Sequence, residues 1–168
     1  MKKIDEILKK NLAFKTLLNG QGSIVVNNVN DEALLIASAF LHLKKDIVVI
    51  KPNQYEANLL YQQLALINEQ DCLFFPVDES YRIETLASSP ELLGQRIDAL
   101  YQLSQNKPKI LITHGQALVR YLPTKQLFCD NCLDIKVGDH IDIYQLQTKL
   151  INAGYQNAMR VDQPFYFS

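Results

Sequence analysis

No apolar run in this sequence of 168 residues approaches the roughly 20 residues needed to cross a bilayer as a helix. The opening stretch, MKKIDEILKKNLAFKTLL, interrupts its apolar positions with charges. It therefore lacks the unbroken core of a signal peptide and predicts an amphipathic helix, which makes the cytoplasm the expected location. A basic stripe is absent as well. Seventeen Lys and Arg stand against eighteen Asp and Glu, for a net charge of −1. The short pairs Lys2-Lys3, Lys9-Lys10 and Lys44-Lys45 fit solvated helix faces better than the phosphate-binding track that avid DNA binding requires. Cysteine is scarce and odd in number, three in all, which excludes a secreted disulfide framework. Cys129 and Cys132 form a C-x-x-C in a polar stretch with no helix start to acidify a thiol. His140 would give a metal a third ligand, but a structural zinc needs four. No metal and no cofactor is expected.

What is present is ordinary for a globular domain, with 48% hydrophobic and 21% charged residues. Apolar strand-like runs alternate with helical patterns. SIVVNNV, DIVVIKP, CLFFPV and KILITH read as strands. Asp31 to Lys45, Asn53 to Glu69 and Pro90 to Ser104 read as helices. Asn53 and Ser89 are expected caps, and Pro90 suits the first helical position. This alternation predicts an α/β fold, a parallel sheet with flanking helices, over residues 1–118. Residues 119–168 change character and predict part of a small α+β domain: a short strand in LDIKV, a turn at Gly138-Asp139, and a helix capped by Asp142 and closed by Gly154. The sequence then stops on Phe165-Tyr166-Phe167. Aromatics need partners to bury them, so the chain is expected to be a fragment cut inside that second unit.

Three places invite a functional reading. The first is IVVNNVNDEA, a strand, loop and helix in the order that holds phosphates in nucleotide-binding proteins. A P-loop needs glycines for backbone approach, a lysine for charge and a hydroxyl for magnesium. Asn27, Asn28, Asn30 and Asp31 stand here instead, so the loop is a degenerate P-loop with carboxylates where a phosphate would sit. The second is the acidic pair Asp78-Glu79 after an apolar strand, which resembles a magnesium-binding pair but has no P-loop to work with. The third is His114 at a strand end, with no nucleophile at a triad spacing. An enzyme built on Asp78, Glu79 and His114 is the alternative reading, a nucleotide- or nucleic-acid-processing α/β domain. Without a P-loop or a triad, no catalytic residue is expected.

A resemblance adds to this. In the run from Leu73 to Pro123, Phe75-Pro76, Glu79, Tyr81, Ser89-Pro90, Arg96, Leu100, Leu103, Ala117-Leu118 and Pro123 occur in one order. That order resembles the N-terminal region of the bacterial transcription-repair coupling factors, the Mfd family. KVGDHIDIYQLQTKLINAGY resembles a later stretch of the same region, with its glycine, acidic cap and helix ending in Gly-Tyr. The resemblance implies a UvrB-like module, a helicase-like α/β domain with a decayed nucleotide motif, followed by a small inserted domain that docks on UvrA. It also implies a distant ATP-dependent DNA translocase, and contacts with RNA polymerase and DNA made by parts of the protein outside this chain. Tyr155, Gln156 and Arg160 are the docking candidates that it leaves. The family's docking strand carries Arg-Gly-Asp and would follow Ser168, so the fragment is expected to hold UvrA weakly or not at all.

Overall fold

Runs of β-branched or aromatic residues prefer extended backbone, and three of them pair into one parallel sheet in the computed structural model, which describes residues 6–20, 22–77 and 89–168. The strands are β1 (Ile47–Lys51), β2 (Cys72–Phe75) and β3 (Ile110–His114), in the order β1-β3-β2. Ile47 and Cys72 both lie level with Ile110, so β3 is paired on both sides and is buried at all five positions. ILITH has no charged residue to oppose that central place.

Side chains alternate across the sheet and build two apolar layers. On one face Cys72, Ile110 and Ile112 meet Ala33, Ala37 and Phe40 of α2 (Val29–Leu43) and Ala57, Leu60 and Leu64 of α3 (Gln54–Asn68). On the other, Leu73, Phe75, Val77 and Leu111 meet Ala99 of α4 (Pro90–Ser104) and Ala117 of the short α5 (Gly115–Leu118). That second face is covered only in part. Val48 and Ile50, which share it with Leu111, are 54% and 58% exposed.

Helix starts follow the expected chemistry. Asn28, Asn53 and Ser89 each accept a hydrogen bond from the backbone N–H three residues on, and Pro90 opens α4. At the N-terminus one helix was expected, but the chain turns at Lys9-Lys10. A new helix α1 (Leu12–Asn19) then begins, because the Asn11 side chain caps Ala13. Phe14 of α1 is fully buried and meets the His42 ring edge-on at 5.5 Å.

Two expected strands are absent. Residues 23–26 of SIVVNNV form no ladder, Val25 is 91% exposed, and Val29 already belongs to α2. Its β propensity favours an extended chain, but a strand also needs a neighbour's backbone, and Asn28 turns the chain into the helix first. LDIKV is likewise unpaired and exposed. Lys136 donates its N–H to the Asp139 carboxylate, and Asp139 N–H bonds back to Lys136 O, which fixes a turn there.

The remaining elements are α6 (Lys125–Asp130), α7 (Ile143–Asn152), β4 (Gln156–Asn157) and β5 (Tyr166–Phe167). Asp142 caps α7 through Tyr144 and Gln145, and Gly154 takes φ +90° just after it, as the sequence suggested. The terminal aromatics find partners. Tyr166 and Phe167 pair in parallel with Gln156 and Asn157, and Phe165 packs edge-on to Tyr155 at 5.6 Å. Among the described residues no helix is long and apolar enough to cross a membrane.

Candidate functional site

Open parallel sheets receive ligands beyond the carboxyl ends of their strands, which makes that edge the place to look for chemistry. The first strand to end there is β1, whose last residue is Lys51. Its ammonium reaches the Glu32 carboxylate in the first turn of α2, at 2.9 and 3.1 Å, with both side chains about four-fifths buried. Beside them Asn28 closes on Asp31. The Asn28 Oδ1 accepts the Asp31 N–H at 2.9 Å, and its Nδ2 donates to the Asp31 carboxylate at 3.0 Å. The helix start that would cradle a phosphate is therefore occupied by the chain's own groups. An incoming phosphate would meet two carboxylates there, one already neutralised by Lys51.

The other two strand ends are tied in the same way. Beyond β2 the Val77 N–H donates to the Gln54 side chain at 3.1 Å, across to the first turn of α3. The buried Thr113 hydroxyl donates to Phe75 O at 2.8 Å and joins β3 to β2. Arg96 crosses over from α4. Its guanidinium lies 4.0 Å from the centre of the Phe75 ring, and its Nη1 donates to Pro76 O at 2.8 Å and to Ala117 O at 3.4 Å. One side chain thus holds α4, the end of β2 and α5 together. We call this the Arg96 latch.

The structure treats the sequence candidates unevenly. It brings Asn28 and Asp31 together as a helix cap, while Asn27 and Asn30 are exposed beside it. His114 is 1% exposed, at the junction of β3 and α5. Asp78 and Glu79 lie outside the described residues, so their relation to His114 rests on sequence alone. Tyr155 is half-buried against Phe165, and Gln156 is exposed on β4. Arg160 is exposed and pairs with Asp162 at 2.8 Å. Cys129, expected in a loop, sits in the last turn of α6, and His140 is exposed. Among the described residues no three His, Cys, Asp or Glu groups gather to hold a metal. Sequence reasoning missed both the Glu32–Lys51 pair and the Arg96 latch. Their partners are 19 to 21 positions apart on different elements, and no local motif marks them.

A cleft of about 170 Å³ lies beside β2, lined by Tyr61, Glu69, Cys72, Phe74 and Asp98 among others. Tyr61 stacks on Phe74 with ring centres 5.4 Å apart. Burial, with Asp71 adding to it, pushes the Cys72 thiol up to about 11, so it stays protonated and unreactive at neutral pH. At this size the cleft falls short of the roughly 300 Å³ at which ligand pockets begin.

No family model matches the chain. Curated relatives do. The transcription-repair-coupling factor of Bacillus subtilis (strain 168) is 27% identical over 175 residues, which take in 100% of this chain and 15% of that protein. The protein of the same name from Staphylococcus haemolyticus (strain JCSC1435) is 28% identical over 152 residues, and that from Staphylococcus aureus (strain USA300) 27% over the same length. Each of these two alignments takes in 89% of this chain and 13% of the relative. The chain is similar to part of the transcription-repair coupling factors. It spans 13–15% of the length of these coupling factors, consistent with an N-terminal region of them. Phe75, Pro76, Arg96 and Ala117, four of the residues that carried the resemblance in the sequence, are the members of the latch. The likeness to coupling factors rests there on residues that hold the fold together.

Proposed function

We propose that this chain is a non-catalytic module of a transcription-repair coupling factor, acting in transcription-coupled nucleotide excision repair by recruiting UvrA. Residues 1–118 form a helicase-like α/β domain with a degenerate P-loop, and residues 119–168 belong to a small domain that docks on UvrA. The module also restrains an ATP-dependent DNA translocase carried elsewhere in the same protein. RNA polymerase and DNA are engaged by other parts of that protein. The observation that carries the non-catalytic reading is the occupied helix start, with Asn28 on Asp31 and Lys51 on Glu32. The near-zero net charge agrees with a role by protein contact, since DNA binding draws its affinity from displaced phosphate counterions.

Two measurements test this reading. Calorimetric titration of the 168-residue chain with magnesium-ATP is expected to give no heat of binding up to millimolar nucleotide. A dissociation constant in the micromolar range would overturn the degenerate reading. For docking, Arg160→Glu in the protein that carries this chain is expected to weaken UvrA capture about tenfold, as charge reversal at a contact rim does. Gln156→Ala should give a smaller loss. Unchanged capture by both variants would remove this face of residues 119–168 from the interface.

A further inference from the structure

Two of the three cysteines sit on one surface turn. The Cys132 N–H donates to Cys129 O at 3.1 Å, a bond three residues back that closes a tight turn at the end of α6. Such a turn brings its first and last Cα atoms within about 7 Å. A disulfide spans Cα separations of about 4.4–6.8 Å, so a turn of this kind holds the two backbone positions near the separation that a disulfide bridges. Both are free, Cys129 exposed and Cys132 half-buried. Burial raises the Cys132 pKa, and the nearby Cys129 and Asp134 raise it further, so the two sulfurs also feel each other electrostatically. Cys72 differs in being buried under α3 and held protonated.

We propose that Cys129 and Cys132 form a reversible dithiol site, which a small-molecule disulfide of the glutathione class oxidises to an intramolecular disulfide. The more exposed Cys129 loses its proton and attacks one sulfur of the glutathione disulfide. An S–S bond forms to Cys129, and one glutathione thiolate leaves. Cys132, deprotonated in turn, attacks the Cys129 sulfur and expels the second glutathione thiolate. Two protein thiols are oxidised, one small disulfide is reduced to two thiols, and no other reactant is needed. Cys132 suits the second step because its raised pKa matters less once its target is held alongside.

The closed ring would fasten a joint in the chain. Two residues beyond Cys132, the Asp134 carboxylate accepts the Tyr101 hydroxyl of α4 at 2.6 Å, and α6 packs on α4. Oxidation would thus stiffen the segment that connects the sheet-bearing part to residues 143–168. It would leave the strand ends untouched.

The test uses the reduced 168-residue chain incubated with glutathione disulfide, followed by alkylation and intact-mass and peptide analysis. The expected product is a monomer lighter by two hydrogens, with Cys129 and Cys132 linked in one peptide. Cys72 should become alkylated only after unfolding. Cys132→Ser should stop as a stable glutathione adduct on Cys129, and Cys129→Ser should form its adduct several-fold more slowly. Persistent double glutathionylation of the wild-type chain would overturn the proposal. So would a disulfide between two chains, or inertness toward glutathione disulfide while both thiols alkylate freely.

Discussion

Arg96→Met is expected to lower the unfolding free energy by about 2–4 kcal/mol in urea titration, with the folded far-ultraviolet spectrum retained. The substitution keeps most of the aliphatic stem and removes the guanidinium. Two carbonyls then lose a charged donor: Pro76 O, bonded at 2.8 Å, a contact of a kind that contributes about 1.5–3 kcal/mol, and Ala117 O, whose bond at 3.4 Å adds little. The cation above the Phe75 ring adds roughly 0.5–1 kcal/mol. Pro76 is fully buried, so water cannot readily replace the lost donor. Arg96→Lys should recover less than half of the loss, because a single ammonium cannot stack flat on the ring while reaching two carbonyls. A cost below about 0.5 kcal/mol for Arg96→Met would show that α4 is held by apolar packing alone.

The parts of the fold that were legible in the sequence are those fixed by neighbours in the chain. Helix α4 was readable from Ser89 to Ser104 because its cap and its first-position proline are local devices. Strands β1, β2 and β3 stood out because a short run of β-branched or aromatic residues between turn signals admits few other fates. SIVVNNV and LDIKV carry the same local signal and failed, since pairing depends on which backbone lies alongside, and that is a tertiary fact. Helix α6 escaped notice because six residues capped by Thr124 leave too little periodicity to read. The candidate site divides in the same way. The missing glycine and lysine of the opening loop, and its carboxylates, could be read directly. That Glu32 receives Lys51, and that Arg96 spans two strand ends, required the fold. The resemblance to coupling factors pointed at Arg96 without saying what it does. The latch supplies the reason.

Leu60→Ala is expected to be the most damaging single truncation, costing about 3–5 kcal/mol. Leu60 is fully buried on α3, at the centre of the layer where α2 and α3 meet the sheet. Its neighbours in that layer include Ala33, Ala37 and Ala57, which have no side-chain length with which to fill the space. The hole should therefore persist, and large-to-small changes cost most where the surroundings cannot relax. Against a domain stability of about 5–15 kcal/mol, such a loss brings the variant close to unfolding at 37 °C. Leu66→Ala on the same helix provides the control. Leu66 is 82% exposed, so its loss should stay within about 0.5 kcal/mol. Amide exchange sharpens the comparison. Because Ile110 and Ile112 of β3 belong to the same cluster, Leu60→Ala should cut protection across β3 as strongly as in α3. Faster exchange confined to α3 would mean that the helix opens independently of the sheet. In that case Gln54, at its first turn, could not hold the Val77 end of β2 as firmly as the hydrogen bond between them implies.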